Sequence, residues 1–273
     1  MSKHNLRRPI VRQLRHAARG TKRMASRMRK GDAAALHDIR VQVRTINSVL
    51  QPFIDLPHVK PLRRALARVK SWGRKSNQVR DLEAQLELIE ELLPPPYPGG
   101  VVDYLARAKE KLQQRRASLA QSKTLDKLPR RIAKLAKTAD ACLKQHDAAS
   151  LRAAPNFACA GLFDALRTDC GEASVEPERQ HKARIRIKRL RYLIESFHSS
   201  IDERYCGVVD EARLAQQKIG RLRDWQNLCE AMAGEPVMAR WLAGFDELEK
   251  DLARQAQQAL QFLERRLVAS PAI

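Results

Sequence analysis

Apolar residues return every three to four positions along most of the chain, and the first such stretch already shows two faces. From residue 6 to 30, Ile10, Leu14, Ala17, Thr21, Met24 and Met28 step by four, three, four, three and four. Arg8, Arg12, Arg15, Arg19 and Lys22 step in the same way on another side. That is the period of a helix with one stripe for a core and one for cations. Gly31-Asp32 then supplies a glycine helix end and an N-cap, which predicts a second helix over about 33–52. Pro52 and Pro57 bracket a turn, and a long helix is expected from there to about Leu93. The run from Leu93 through Pro94, Pro95, Pro96, Tyr97 and Pro98 to Gly99 and Gly100 is the clearest break. From Val101 to about Gln145 the pattern predicts one long helix, or two interrupted near Pro129.

The second half repeats this plan. A helix at about 153–170 precedes a turn at 171–177, with Glu176-Pro177-Glu178 as the next helix start. Further helices follow from His181 to about Ser200, to about Ala233, and from Glu235 to about Val268. The reading is all-α: two four-helix bundles, residues 1–147 and 148–273, with short connections and antiparallel neighbours. Few β-branched residues alternate, and Ala, Leu, Arg, Lys, Gln and Glu dominate between the prolines.

The halves share more than a plan. His37-x-x-Arg40-x-x-x-Arg44 recurs 144 positions later as His181-x-x-Arg184-x-x-x-Lys188. Val41, Val43, Ile46, Val49 and Leu50 align with Ile185, Ile187, Leu190, Leu193 and Ile194. At an offset of 143, Val79-Arg80-Asp81 matches Leu222-Arg223-Asp224, and Lys75 matches Lys218. Self-similarity at half the chain length reads as an internal duplication of a helical unit.

Charge decides what such a unit is for. The net charge is +21, and residues 1–80 hold 21 Lys/Arg against 3 Asp/Glu. Arg179 to Arg191 places seven cations in 13 residues without an acid. Charge this uneven favours an anionic partner. On a helix at about 100° per residue, His181, Arg184, Lys188 and Arg191 fall within roughly 80° of one another. Ile187, Leu190, Leu193, Ile194 and Phe197 gather on a different side, so the helix buries one side and lines something with the other. Arginine grips two phosphate oxygens with a planar fork, and lysine adds a movable point charge. A row at this spacing suits a polyanion better than a single phosphate. In the first copy Asn47 stands where the fourth cation would be. Arg12, Arg15, Arg19, Arg63, Arg64 and Arg68 are available from neighbouring helices to compensate.

The remaining expectations are narrower. His37 and His181 either touch ligand or pack and orient a neighbour. Arg80 and Arg223, with Lys75, Lys218, Arg189 and Arg221, join the binding set, and Asp81 and Asp224 position the arginines beside them. No HExxH, carboxylate cluster or glycine-rich phosphate loop is present, so no catalytic residue, metal ligand or cofactor is expected. Five cysteines without CxxC spacing, no apolar signal region and no long apolar run fit a cytoplasmic protein that does not enter a membrane.

At these residues the chain resembles the CHAD family, the conserved histidine α-helical domain. His181-Lys-Ala-Arg-Ile-Arg-Ile-Lys-Arg-Leu-Arg-Tyr-Leu-Ile-Glu195 carries the likeness most closely, His37-Asp-Ile-Arg-Val-Gln-Val-Arg44 well, together with the two Arg-Asp segments. Thr45-Ile-Asn47 departs from the Arg-Leu-Arg expected there. The resemblance covers essentially the whole chain, 1–273. It implies two four-helix bundles related by a pseudo-twofold axis, a basic cavity or groove between them, and inorganic polyphosphate as a ligand bound without catalysis. Some relatives carry a triphosphate tunnel metalloenzyme domain marked by ExExK. Glu247-Leu-Glu-Lys250 is one residue short of that signature, so the chain is expected to be the binding domain alone, with polyphosphate granules as a destination. Two other readings stay open: a nucleic-acid-binding protein using the basic first 80 residues, and, more weakly, a phosphoanhydride enzyme. Oligomeric state and protein partners are not legible here.

Overall fold

The computed structural model describes residues 6–93, 95–172 and 177–269. In chain order the helices are α1 (Arg7–Arg29), α2 (Ala33–Leu50), α3 (Lys60–Lys75), α4 (Asn77–Leu92), α5 (Gly99–Ala120) and α6 (Lys123–Leu143). Then come α7 (Ala148–Glu172), α8 (Pro177–Phe197), α9 (Glu203–Cys206), α10 (Val209–Met232), α11 (Pro236–Leu242) and α12 (Asp246–Ala269). Short 3-10 turns occupy Gln51–Phe53 and Ala243–Phe245. The described residues contain no strand, and none of their helices is long and apolar enough to cross a membrane.

Two compact units form, interleaved along the chain. The first holds residues up to Gln78, Gln114–Cys159 and Tyr192–Ile201. Its frame is a ring of four helices: α1 packs on α2 and α6, and α3 packs on the same two. The stripe foreseen on α1 is the buried one, with Ile10, Leu14, Ala17, Thr21 and Met28 all inward. Facing it, α2 buries Leu36, Ile39, Val43, Ile46 and Val49, and Trp72 of α3 is fully enclosed. Each such aliphatic side chain removed from water contributes about 1.5–3 kcal/mol. The turn into α2 is built as its residues suggest: Gly31 takes φ +88°, and Asp32 accepts a hydrogen bond from the Ala34 N–H at 2.9 Å.

The second unit holds Val79–Gln113, Ala160–Arg191 and residues from Asp202 onward. Here α10 packs along α12, and α11 folds back onto α10. Arg186 of α8 ties to α7 through the Ala165 carbonyl at 3.1 Å and Asp169 at 2.5 Å. Trp225 is the large buried residue of α10. These units are packing bodies, and the repeats at 1–147 and 148–273 are a statement about sequence, which the packing leaves untouched.

Several helix boundaries differ from the sequence reading. The helix expected to reach Leu93 is interrupted at Ser76, which sits fully buried at φ −84°, ψ −4°. The long helix after Val101 breaks at Gln121–Ser122 and not near Pro129, because Ser122 caps α6 by accepting from the Leu125 N–H. Pro129 lies within α6 and forfeits one backbone bond. The apolar stripe of Leu125, Leu128, Ile132 and Leu135 carries the helix through it. The helix placed at 153–170 starts earlier, at Ala148, with Pro155 inside it. The final helix is two, separated at Ala243–Phe245. The expected turn at 171–177 lies largely outside the described residues, as does Pro94 in the proline-rich break.

Candidate functional site

The first unit presents its cations from α1, α2 and α3. Because α2 buries its apolar side, His37 is left exposed and Arg40 and Arg44 half-buried. Arg40 donates from Nη1 to Ser76 Oγ at 2.6 Å and more distantly to Asn77 Oδ1 at 3.4 Å. The Ser76 hydroxyl in turn donates to the Gly73 carbonyl at 2.8 Å, so one side chain ends α3 and orients an arginine of α2. Arg44 donates to the Tyr192 hydroxyl at 2.7 Å, with its guanidinium carbon 5.1 Å from that ring's centroid. Asn47 is half-buried with its Oδ1 unpartnered.

Around α2, Arg12, Arg15 and Arg19 stand exposed on α1, and among the described residues only Arg15 of the three nears an acid, Asp140 at 3.9 Å. Arg64 and Lys75 are exposed on α3. Arg63 behaves differently. It donates twice to the Ile54 carbonyl, at 3.2 and 2.6 Å, and lies 3.7 Å from Asp55, which fastens the preceding 3-10 turn to α3.

The second unit carries the other row. His181 and Arg189 are exposed, and Arg184, Lys188 and Arg191 are half-buried. Their helix turns Ala183, Ile187 and Leu190 inward, and Ile185, the repeat partner of Val41, is 38% exposed. Arg191 donates to Gln216 Oε1 of α10 at 3.2 Å. Lys218 donates to Gln255 Oε1 at 2.6 Å, and Gln255 donates on to Asp251. Arg221 pairs with Glu91 at 2.5 Å.

Arg184 reaches across to α10 at a glycine. A Cβ on Gly220 would stand 3.5 Å from Arg184 Nη2 and 3.6 Å from Nε, and that Nε is buried without a hydrogen-bond partner.

The two Arg-Asp segments hold a surprise. Their aspartates were expected to fix the neighbouring arginines, yet each arginine pairs with a glutamate seven positions on. Arg80 meets Glu87 at 2.8 Å, and Arg223 meets Glu230 at 3.7 Å. Burial works against the Arg80 charge, but Glu87, then Glu83 and Asp224, overcome it and raise its pKa. Asp224 has its pKa raised, chiefly by burial, with Arg184 and Arg80 pulling the other way. So Asp224 acts on Arg184 and Arg80, and Arg223 is held from elsewhere.

Sequence reasoning missed the groups that hold the cations: Ser76, Tyr192, Glu87, Glu230, Gln216 and Gln255. One signal was available, since Glu87 and Glu230 stand 143 apart, the same offset as Arg80 and Arg223. Among the described residues, no three His, Cys, Asp or Glu gather closely enough to hold a metal ion.

A helical chain with this histidine-and-arginine pattern has known counterparts. Residues 11–233 match the CHAD domain, and the chain belongs to that family. The crystal structure of the CHAD domain from the plant Ricinus communis shares the fold, with a TM-score of 0.72 at 20% identity. That likeness covers 98% of this chain and 93% of the other. A search of curated protein sequences finds no significant match.

Proposed function

We propose that the chain binds inorganic polyphosphate through its rows of arginine, lysine and histidine, and that it does so without chemistry of its own. The observation that carries this is the repeated row itself. On α2 and again on α8, a histidine, an arginine and a third cation share one side of a helix whose opposite side is buried. Family membership supports the reading, because the resemblance to CHAD domains is what points to polyphosphate among polyanions. The low aromatic content, 5%, supports a ligand without bases, since single-stranded nucleic acid is held largely by stacking. Residence on polyphosphate granules is the cellular consequence of this reading.

The test is charge reversal of Arg184, Lys188 and Arg191 together. Helicity by circular dichroism should survive, since these side chains lie off the apolar side, while affinity for long polyphosphate should collapse. Titrations with long polyphosphate, tripolyphosphate, duplex DNA and RNA at two salt concentrations complete it. A chain that engages six or more phosphates loses on the order of 10³ in affinity between about 50 and 200 mM salt. Equal affinity for nucleic acid would replace the polyphosphate reading with a nucleic-acid one. Phosphate release in the presence of divalent metals would overturn the claim that no chemistry occurs.

A further inference from the structure

Within the second unit, the end of α10, the short α11, the 3-10 turn and the start of α12 line a half-open pocket of about 230 Å³. Its walls are Trp225, Cys229, Leu242 and Phe245, with small residues between, and two carboxylates line it, Asp246 and Glu249. The aromatic rings brace one another edge to face, Trp225 against Phe245 at 6.4 Å and Phe245 against Trp241 at 5.5 Å. Trp225 donates its indole N–H to Glu249 Oε2 at 3.3 Å, which turns that carboxylate toward the cavity.

The charge here runs against the rest of the chain. Among the described residues, no lysine or arginine lines the cavity. The nearest cations in sequence are Arg240, beside Ala239, and Lys250, which Glu247 takes at 2.7 Å. Asp246 makes no hydrogen bond or ion pair among the described residues, and Glu249 keeps one oxygen beyond its bond to the indole. The α12 amides contribute about half a positive charge, and two carboxylates outweigh it. Burial first, then Glu249 and Glu230, push the pKa of the Cys229 thiol up.

We infer that this cavity is a binding site for a small organic cation, a primary ammonium group carried on an apolar body. Apolar walls take the body, as in most small-molecule sites, and the Asp246 and Glu249 carboxylates take the ammonium by charge-assisted hydrogen bonds. The site stands apart from the arginine rows, and its occupant carries the opposite charge to theirs. It is independent of the polyphosphate reading.

The test uses the full chain with phenethylammonium as probe and 3-phenyl-1-propanol as its uncharged counterpart. The Trp225 indole N–H resonance should shift as the ammonium is added, with a dissociation constant of about 1 mM for a ligand this small. The double substitution Asp246→Asn and Glu249→Gln, at exposed positions, should weaken binding at least tenfold. Ala239→Phe should abolish it by filling the cavity. Polyphosphate affinity should stay the same in both variants. Equal binding of the alcohol, undiminished binding to the double variant, or no shift at tens of millimolar probe overturns the inference.

Discussion

Gly220 forms the berth of Arg184: the guanidinium lies over the one position of α10 where no side chain stands, and a Cβ there would come to 3.5 Å from Nη2. The matching arginine of the first row, Arg40, meets Ser76 instead. At the offset of 143 that pairs Lys75 with Lys218 and Val79 with Leu222, Gly220 corresponds to Asn77, the neighbour of Ser76 and the more distant partner of Arg40 at 3.4 Å. The two rows thus place an arginine against matching positions with different consequences. A hydroxyl fixes Arg40, while Arg184 rests with its Nε unbonded.

Gly220→Ala should stabilise the protein. The added methyl meets Arg184 at ordinary van der Waals distance, and φ is not in the left-handed region. Removing a glycine from a helix interior then gains about 0.5–1 kcal/mol, mostly through the unfolded chain. Urea unfolding should show a higher midpoint with polyphosphate affinity nearly unchanged. Gly220→Leu should instead displace Arg184 and weaken binding. A destabilised alanine variant would mean the berth is tighter than the geometry gives.

Ser76→Ala should have the opposite effect. It removes the acceptor for Arg40 Nη1 and the donor to the Gly73 carbonyl, at a position with no exposure to solvent. Leaving such groups unmatched costs about 1–3 kcal/mol. Chemical denaturation measures that loss, and weaker polyphosphate binding alongside it would follow from a disoriented Arg40. Unaltered stability would show that the hydroxyl is dispensable.

What could be read from sequence divides along physical lines. Helix stripes were legible because burial follows the 3.6-residue period, as on α1 and α8. The Gly31-Asp32 turn was legible because it rests on local chemistry. The breaks at Ser76 and Gln121–Ser122 were not, since a serine can cap, bridge or point into water, and tertiary neighbours decide which. The cations of the site were legible as types in a pattern. Their anchors were not, because Tyr192 meets Arg44 across 148 positions and Gln255 meets Lys218 across 37. Arg63 illustrates the cost of reading charge alone, for its fork is spent on a backbone carbonyl.

Thiol chemistry offers a check on the packing of the second unit. Burial, with Glu264 and Asp169 behind it, pushes the Cys170 thiol up to about 12. Cys206 is also raised by burial, then by Glu203 and Asp202, but it remains partly exposed. Since the thiolate is the reactive form, brief alkylation of the native protein near pH 8 should label Cys206 well before Cys170. Peptide mass spectrometry reads the order. Equal rates would indicate that α7 is not packed as described.

Asp224 gives the pH dependence a definite sign. Its folded pKa is raised above 3.8, with burial the leading cause and Asp81 and Glu87 adding to it against Arg184 and Arg80. The folded chain therefore holds this proton at pH values where the unfolded chain has released it. Stability contributed by the group falls as pH rises from about 3.8 through the folded value, and does not return above it. Asp224→Asn removes that loss. Urea midpoints measured from about pH 4 to 7 should converge for variant and wild type at the acid end, with the variant equal or more stable at neutrality. Its polyphosphate affinity should also rise, because a negative charge that competes for Arg184 is gone. A wild type that gains on the variant as pH rises would mean that Arg184 and Arg80 outweigh burial, and that Asp224 is a stabilising partner of the row.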